Sequence, residues 1–294
     1  MTIALGVLLA LACAIASNLA FFYKHRGARV APPVCSRRPL HTARCLFGSR
    51  WFALGMLIAA GAWALHVAAL SLAPLSLVQV VLAAGIVLVG VMAERIFGFD
   101  VSRRQWGALA ITACGLILLA LTLPIPHGSQ STYTAPVMAA FEGGLFGLAG
   151  LLLLAPTIGA PAEHHAATLG AAAGVLFGVS DVSIKALTGL VGAHSWSGFA
   201  SPSLFVTLIA SVVAFYASAR ALQLGRDPIA VIALTGTAAN IAGIAGGIIV
   251  FGDPLPDDAV GAATEALALV MILIASALTN TAANPRLTRV GLNP

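Results

Sequence analysis

Nine apolar runs, each about as long as a bilayer is thick, leave this chain almost no soluble fold to adopt. The runs cover 3–22, 51–71, 75–95, 105–123, 135–156, 167–190, 202–221, 228–250 and 259–280. In lipid every backbone N–H and C=O must find its partner within the protein, and a run of about 20 residues does that as a single helix. A transmembrane barrel would instead need alternating segments of about 10 residues, a pattern the runs do not show. The composition agrees: 60% of residues are hydrophobic and 9% charged, against about a quarter charged in soluble domains. The expected fold is all-α, a polytopic membrane protein of about nine transmembrane helices.

The basic residues choose its orientation. The loop 24–50 carries Lys24, Arg26, Arg29, Arg37, Arg38, Arg44 and Arg50, and a short loop rich in Lys and Arg stays in the cytoplasm. Alternation then fixes every later loop. Arg95, Arg103, Arg104, Arg220, Arg226, Arg286 and Arg289 all fall inside, while Asp253, Asp257 and Asp258 fall outside. Of the 15 Lys and Arg residues, all but Lys185, which sits inside an apolar run, fall on the side assigned to the cytoplasm. The N-terminus is expected outside, the C-terminus in the cytoplasm, and the protein in the plasma (inner) membrane as a multi-pass protein.

The first run is expected to be a retained helix, because basic residues follow it rather than precede it, the reverse of a secretory leader. The cysteines do not suggest disulfides: Cys13 and Cys114 lie in apolar runs, and Cys35 and Cys45 in the loop assigned to the reducing side. Cys35, His41 and Cys45 could share a metal, but their irregular spacing favours a solvated basic loop held against anionic lipid headgroups. No cofactor is expected.

The chain also repeats itself. Ala69-Leu70-Ser71-Leu72-Ala73 leads into Pro74, and Ala221-Leu222-Gln223-Leu224-Gly225 leads into Pro228 after an Arg226-Asp227 insertion. From there an offset of 154 residues holds without a gap: Pro74 with Pro228, Phe97-Gly98 with Phe251-Gly252, Gly107-Ala108 with Gly261-Ala262. The matched runs are the second to fourth and the seventh to ninth, five crossings apart, so the copies have opposite orientation in the bilayer. This inverted repeat divides the single transporter domain 1–294 into a half 3–123, a linking helix 135–156 and a half 167–280. The first run pairs with the sixth either through Gly6-Val7-Leu8 and Gly174-Val175-Leu176 or through Lys24 and Lys185, which demand different registers. Inverted repeats suit carriers, because two similar halves can exchange conformations around a site at their interface.

The Ala-Leu-x-x-Ala-Pro-x-x-x-Val pattern from Ala69 to Val78, its second copy from Ala221 to Ile232, and the closing helices beginning at Gly107 and Gly261 resemble the drug/metabolite transporter (EamA-like) superfamily. Within it, the nine-span arrangement is most similar to the NIPA-like magnesium transporter branch. The resemblance implies a membrane carrier. That superfamily often places Gly-Glu after the helix that follows the proline, where this chain has Gly252-Asp253 in one copy and Gly98-Phe99-Asp100 in the other.

Ionised side chains are costly within a bilayer, about 2.5–3.5 kcal/mol each on insertion scales, so Glu142, Asp181, Lys185 and Glu265 each need a local reason. Counted at about 1.5 Å per residue, all four lie roughly 8–14 Å below the outer boundary. His66 and Gln79 share that layer, and Asn240 lies nearer the midplane. Together they predict a polar pocket opening outward. Each has a simpler reading too. Asp181 and Lys185 are spaced i, i+4 with the acid first, as an ion pair would be, and Lys185 is close enough to the surface to snorkel. Glu142 begins a Gly143, Gly144, Gly147 packing surface. Asn18, Gln79 and Asn240 are of the type that ties helices together.

The expected function is gradient-driven transport of a small solute by alternating access. Glu142 or Glu265 is expected as the coupling acid, since burial raises a carboxyl pKa, and Asp181 with Lys185 as a gate. The partners are membrane lipids and a small-molecule or ion substrate, with no nucleic acid and the oligomeric state left open. A carrier of organic solutes would add aromatic walls, such as Trp63 beside His66. Two other readings stand beside it: a magnesium or other divalent cation pathway, for which Mg²⁺ would take one or two carboxylates, and a non-transporting scaffold or lipid-handling protein. No Walker A, His-Glu-x-x-His or nucleophile-elbow motif is present, and the chain is not expected to be an enzyme.

Overall fold

The computed structural model describes residues 2–35, 38–122, 131–194, 201–225, 227–253 and 258–281. Its elements are α1 (Thr2–Val30), α2 (Pro39–Phe47), α3 (Arg50–Leu72), α4 (Leu75–Ala84), α5 (Ile86–Arg95), α6 (Arg103–Thr122), α7 (Ala135–Leu154), a 3₁₀ turn (Ala162–His164), α8 (His165–His194), α9 (Pro202–Leu224), α10 (Pro228–Phe251) and α11 (Ala259–Thr281). The described residues are all-α, and seven spans among them are long and apolar enough to cross a membrane. α6 and α11 occupy the fourth and ninth apolar runs.

Proline sets the helix starts. Pro39, Pro202 and Pro228 sit in first turns, where a missing N–H costs nothing. Asp227 caps α10, accepting the Ile229 N–H at 2.9 Å. Pro74 ends α3 and begins α4 with extended backbone at Ala73. The opposite end of α10 closes on Gly252 in the left-handed region (φ 65°), with the Asp253 N–H bonded to the Gly247 carbonyl.

Three features depart from the sequence reading. α1 continues to Val30, well past its apolar run, its basic last turns keeping helix geometry, and Arg26 lies 4.0 Å above the Trp51 ring. The basic loop folds in part, as α2, whose Pro39 carbonyl accepts the Tyr216 hydroxyl. The run 75–95 is interrupted at Gly85. There Asn18 Nδ2 donates to the Gly85 carbonyl at 2.9 Å, and local bonding tightens to i→i+3 between Leu82, Gly85 and Leu88.

α3 packs along α1, and α9 along α8; α10 lies between α8 and α4, α6 against α11, and α7 on the flank of α8. Small residues permit these approaches. A Cβ on Gly178 would collide with Ala242, and one on Gly27 with the Phe52 backbone. One apolar cluster, including Phe22, Phe52, Leu109, Leu222 and Ile232, fills the end of the bundle where the basic residues gather. A second, including Leu70, Leu75, Val78, Val182 and Phe251, fills the other end.

Gly178→Val is expected to lower the thermal midpoint of the detergent-solubilised protein, through overpacking of about 1–3 kcal/mol. Gly61→Val, whose Cβ meets nothing within 4 Å, should leave the midpoint in place. Equal midpoints for the two variants would refute the assigned α8–α10 contact.

Candidate functional site

Four helices meet around one carboxylate. Asp181 on α8 holds the His66 Nε2 of α3 at 2.9 Å through Oδ1 and accepts the Gln79 Nε2 of α4 at 2.7 Å through Oδ2. His66 and Gln79 are buried, at 6% and 0% exposure. Gly243 of α10 completes the enclosure: a Cβ there would lie 2.6 Å from the Gln79 side chain. The depth argument therefore brings three residues together, because helices of fixed rise place equal residue counts at equal depth.

Lys185 is in a separate network. Its Nζ donates to the Leu70 carbonyl at 2.7 Å and to the Ala73 carbonyl at 2.8 Å, and it is fully buried rather than snorkelling. In a continuous helix the Leu70 carbonyl would accept the N–H of residue 74, but that residue is proline and has none. An amine placed at this frayed, partially negative helix end satisfies it. This outcome differs from the expected i, i+4 pair: among the described residues Lys185 makes no salt bridge with Asp181, whose ionic contact is to His66.

Asp253 belongs to the same corner. Its Oδ2 accepts the Ser76 N–H at 2.9 Å, capping α4 from the far end of α10, and its charge faces Lys185. Burial pushes the Asp253 carboxyl up from its ordinary range, against the opposing pull of Ser76 and Lys185. At the basic end of the bundle Asp227 is also raised by burial, although Ile229, Ala230 and Gln105 donate to it. The Gln105 amide reaches it at 2.6 Å. Gln223 crosses from α9 to the Ala28 and Pro32 carbonyls and the Val34 N–H.

Glu142 stands apart on α7, buried, its Oε1 accepting the Ser183 hydroxyl at 2.5 Å. Asn240 is half-buried on α10, just under one turn before Gly243. The Glu265 side chain on α11 lies outside the described residues, as do Arg37, Arg226, Asp257, Arg286 and Arg289. Trp63 is 56% exposed and turned to the outside of α3, not toward His66. Within the cluster His66 and Gln79 are buried while the Asp181 side chain keeps 16% exposure; two surface depressions of the protein lie elsewhere, beside Leu40–Cys45 and Ala259–Leu267. Among the described residues no three His, Cys, Asp or Glu side chains form a metal-binding group. In the basic loop His41 Nδ1 and Cys45 Sγ are 3.4 Å apart, while the Cys35 backbone binds Thr42.

Sequence reasoning missed Asp253, Asp227, Gln105 and Ser183. Asp227 carried a readable signal, an Asp immediately before a helix-starting proline. Asp253 carried one in Gly252-Asp253, where a left-handed cap ends a buried helix. No family model, curated protein or solved structure matches the chain.

Gly243→Ala is expected to displace Gln79 from Asp181 and cost about 1–3 kcal/mol of stability. Shortening Gln79 to Ala in the same chain should recover part of that loss, with a coupling of at least about 0.5 kcal/mol in a double-mutant cycle of thermal or denaturant unfolding. Strict additivity would show that the two residues do not touch.

Proposed function

We propose that this membrane protein is a gradient-driven carrier of a small solute that works by alternating access, as the resemblance to the drug/metabolite transporter superfamily implies. One observation carries the reading: a half-buried carboxylate, held by a buried imidazole and a buried carboxamide, lies where α3 and α4 of one half meet α8 of the other. Intramembrane ionisable groups at such a junction mark a substrate or ion pathway.

The inverted repeat has support in how the helices neighbour one another. α1 exchanges with α8, α3 with α9, the α4–α5 pair with α10, and α6 with α11. The main contacts outside α7 then have counterparts: α1–α3 with α8–α9, α1–α4 with α8–α10, α1–α9 with α3–α8, and α5–α6 with α10–α11, while α4–α10 and α6–α11 map onto themselves; α7 packs on α8 and α10 of one half. The register of the first pair follows. Gly85 approaches Ala14 and Asn18, and Ala239, its equivalent in the second copy, approaches Gly174 and Gly178. This favours the alignment of Lys24 with Lys185 over that of Gly6 with Gly174.

In a nine-span topology with the N-terminus outside, the two ends of the site are latched by different groups. The outer latch is Lys185 on the Leu70 and Ala73 carbonyls with Asp253 on Ser76. The inner latch is Gln223 on Ala28, Pro32 and Val34, with Asp227 on Gln105. His25 faces the Leu222 carbonyl and the Phe99 ring, at the positions equivalent to Leu70 and Asp253. Releasing one latch at a time exposes Asp181 to one side at a time. Asp181, joined to both halves, is then the central group, with Glu142 a flanking acid on the linking helix.

The test is a solute panel, including divalent metals and amino acids, in reconstituted vesicles with and without an imposed pH gradient. Asp181→Asn is expected to reduce uptake at least about tenfold, the scale of a lost charge-assisted contact; undiminished uptake by this variant would remove the central assignment. For the topology, a membrane-impermeant thiol reagent should label the exposed Cys35 from the cytoplasmic face and not in intact spheroplasts. Labelling from outside would invert the orientation.

A further inference from the structure

We propose that the outward face of α2 is a docking site for an anionic phospholipid, with Arg44 on its phosphate and Leu40 and Phe47 against its acyl chains. The inference needs only the membrane setting and does not rest on the carrier reading.

α2 lies across the bundle rather than along it. Its first residue, Pro39, accepts the Tyr216 hydroxyl at 3.0 Å, and its last, Phe47, stacks on the Phe215 ring at 6.3 Å. Those partners are neighbours on α9, about 1.5 Å apart in rise, whereas the nine residues of α2 span about 13 Å. A helix whose two ends touch one level of a spanning helix runs close to the membrane plane, as interfacial helices do. Phe47 also meets Phe52 edge-on at 5.7 Å, and the adjacent Trp51 stacks on Tyr23 at 5.7 Å. Tyr and Trp gather in this way at the boundary between membrane and water.

The two faces of α2 are unlike. Thr42 and Leu46, one turn apart, are buried, and the Thr42 hydroxyl fixes the Cys35 backbone through bonds of 3.1 and 3.2 Å. Leu40, Arg44 and Phe47 follow at i, i+4 and i+7 on the opposite side, with Leu40 85% and Phe47 47% exposed. An open depression beside Arg44 is lined by Leu40, His41 and Cys45. His41 turns Nδ1 to the Cys45 sulfur at 3.4 Å, which leaves Nε2 for an oxygen from outside. A guanidinium is thereby set between two apolar side chains and beside an imidazole.

Among the described residues no carboxylate answers that guanidinium. The sequence contains no Asp or Glu before Glu94, and Arg38, Arg44 and Arg50 form no ion pair with any described residue. A free phosphate answers the charge but leaves Leu40 in water. A zwitterionic lipid covers Leu40 but brings a cation toward a basic surface. An anionic phospholipid meets both demands, its phosphate matching the planar fork of arginine and its chains the flanking apolar groups.

The experiment is lipid binding to the full-length protein in a neutral detergent, read by native mass spectrometry. Phosphatidylglycerol is compared with phosphatidylcholine of the same acyl chains and with free glycerol phosphate. Phosphatidylglycerol is expected to bind at least about tenfold tighter than either. Arg44→Gln should weaken it about fivefold, the scale of one cation at an anionic surface, and Leu40→Gln at least about threefold. Arg103→Gln, at an exposed arginine on α6, should leave it within about twofold. No retained phosphatidylglycerol, equal retention of phosphatidylcholine, or glycerol phosphate bound as tightly overturns the proposal on the wild-type protein alone. An equal loss in Arg44→Gln and Arg103→Gln also overturns it, reducing the site to diffuse basic charge. Capture of a poly-glutamate peptide in preference to the lipid would give the surface to an acidic protein instead.

Discussion

Pro74 cannot donate a hydrogen bond, and in lipid nothing but the protein itself can make good that loss. The Leu70 carbonyl four residues earlier is orphaned, the extended Ala73 carbonyl beside it is unused, and Lys185 crosses from another helix to satisfy both. The same rule recurs wherever a helix ends or bends inside the bundle. Asp253 caps the start of α4, Asn18 holds the Gly85 carbonyl, Asp227 caps α10, and Gln223 ties down the chain leaving α1. Each repair comes from a side chain whose own burial would otherwise be costly. The polar interior is therefore organised by breaks in the backbone as much as by any ligand.

That organisation joins distant parts of the chain. The corner between α3 and α4 is held by residues of α8 and the end of α10, and the end of α9 grips the segment after α1. Between these belts lies Asp181 with His66 and Gln79, pressed closely by Gly243. A charge in this position is held by groups of α3 and α4 from across the chain, so the packing of α8 against those two helices fixes its surroundings. Glu142, bonded to Ser183 from the flanking α7, lacks that linkage.

Helix rise and hydropathy made much of this visible in the sequence. Depth along a helix is a fixed function of residue number, which is why Asp181, His66 and Gln79 could be assigned to one layer before their neighbours were known. Azimuth is not fixed in that way. The i, i+4 spacing of Asp181 and Lys185 suggested a pair, and only the position of α8 beside the frayed end of α3 shows what each side chain reaches instead. Asp253 read as a loop acid, because nothing local reveals that it caps a helix 177 positions earlier in the chain. Gly85 read as one more small residue in an apolar run; its interruption depends on Asn18, which comes from a different helix.

The interruption at Gly85 sets α4 and α5 apart from the unbroken α10. α4 is a rod of ten residues, about 15 Å or half a bilayer in length, pinned at one end by Asp253 and at the other by Asn18. α10, which also begins at a proline, runs unbroken from Pro228 to Phe251. A helix that is tightened and re-pinned half-way down, lying against one that is continuous, divides the bundle into a segmented strut and an unjointed one.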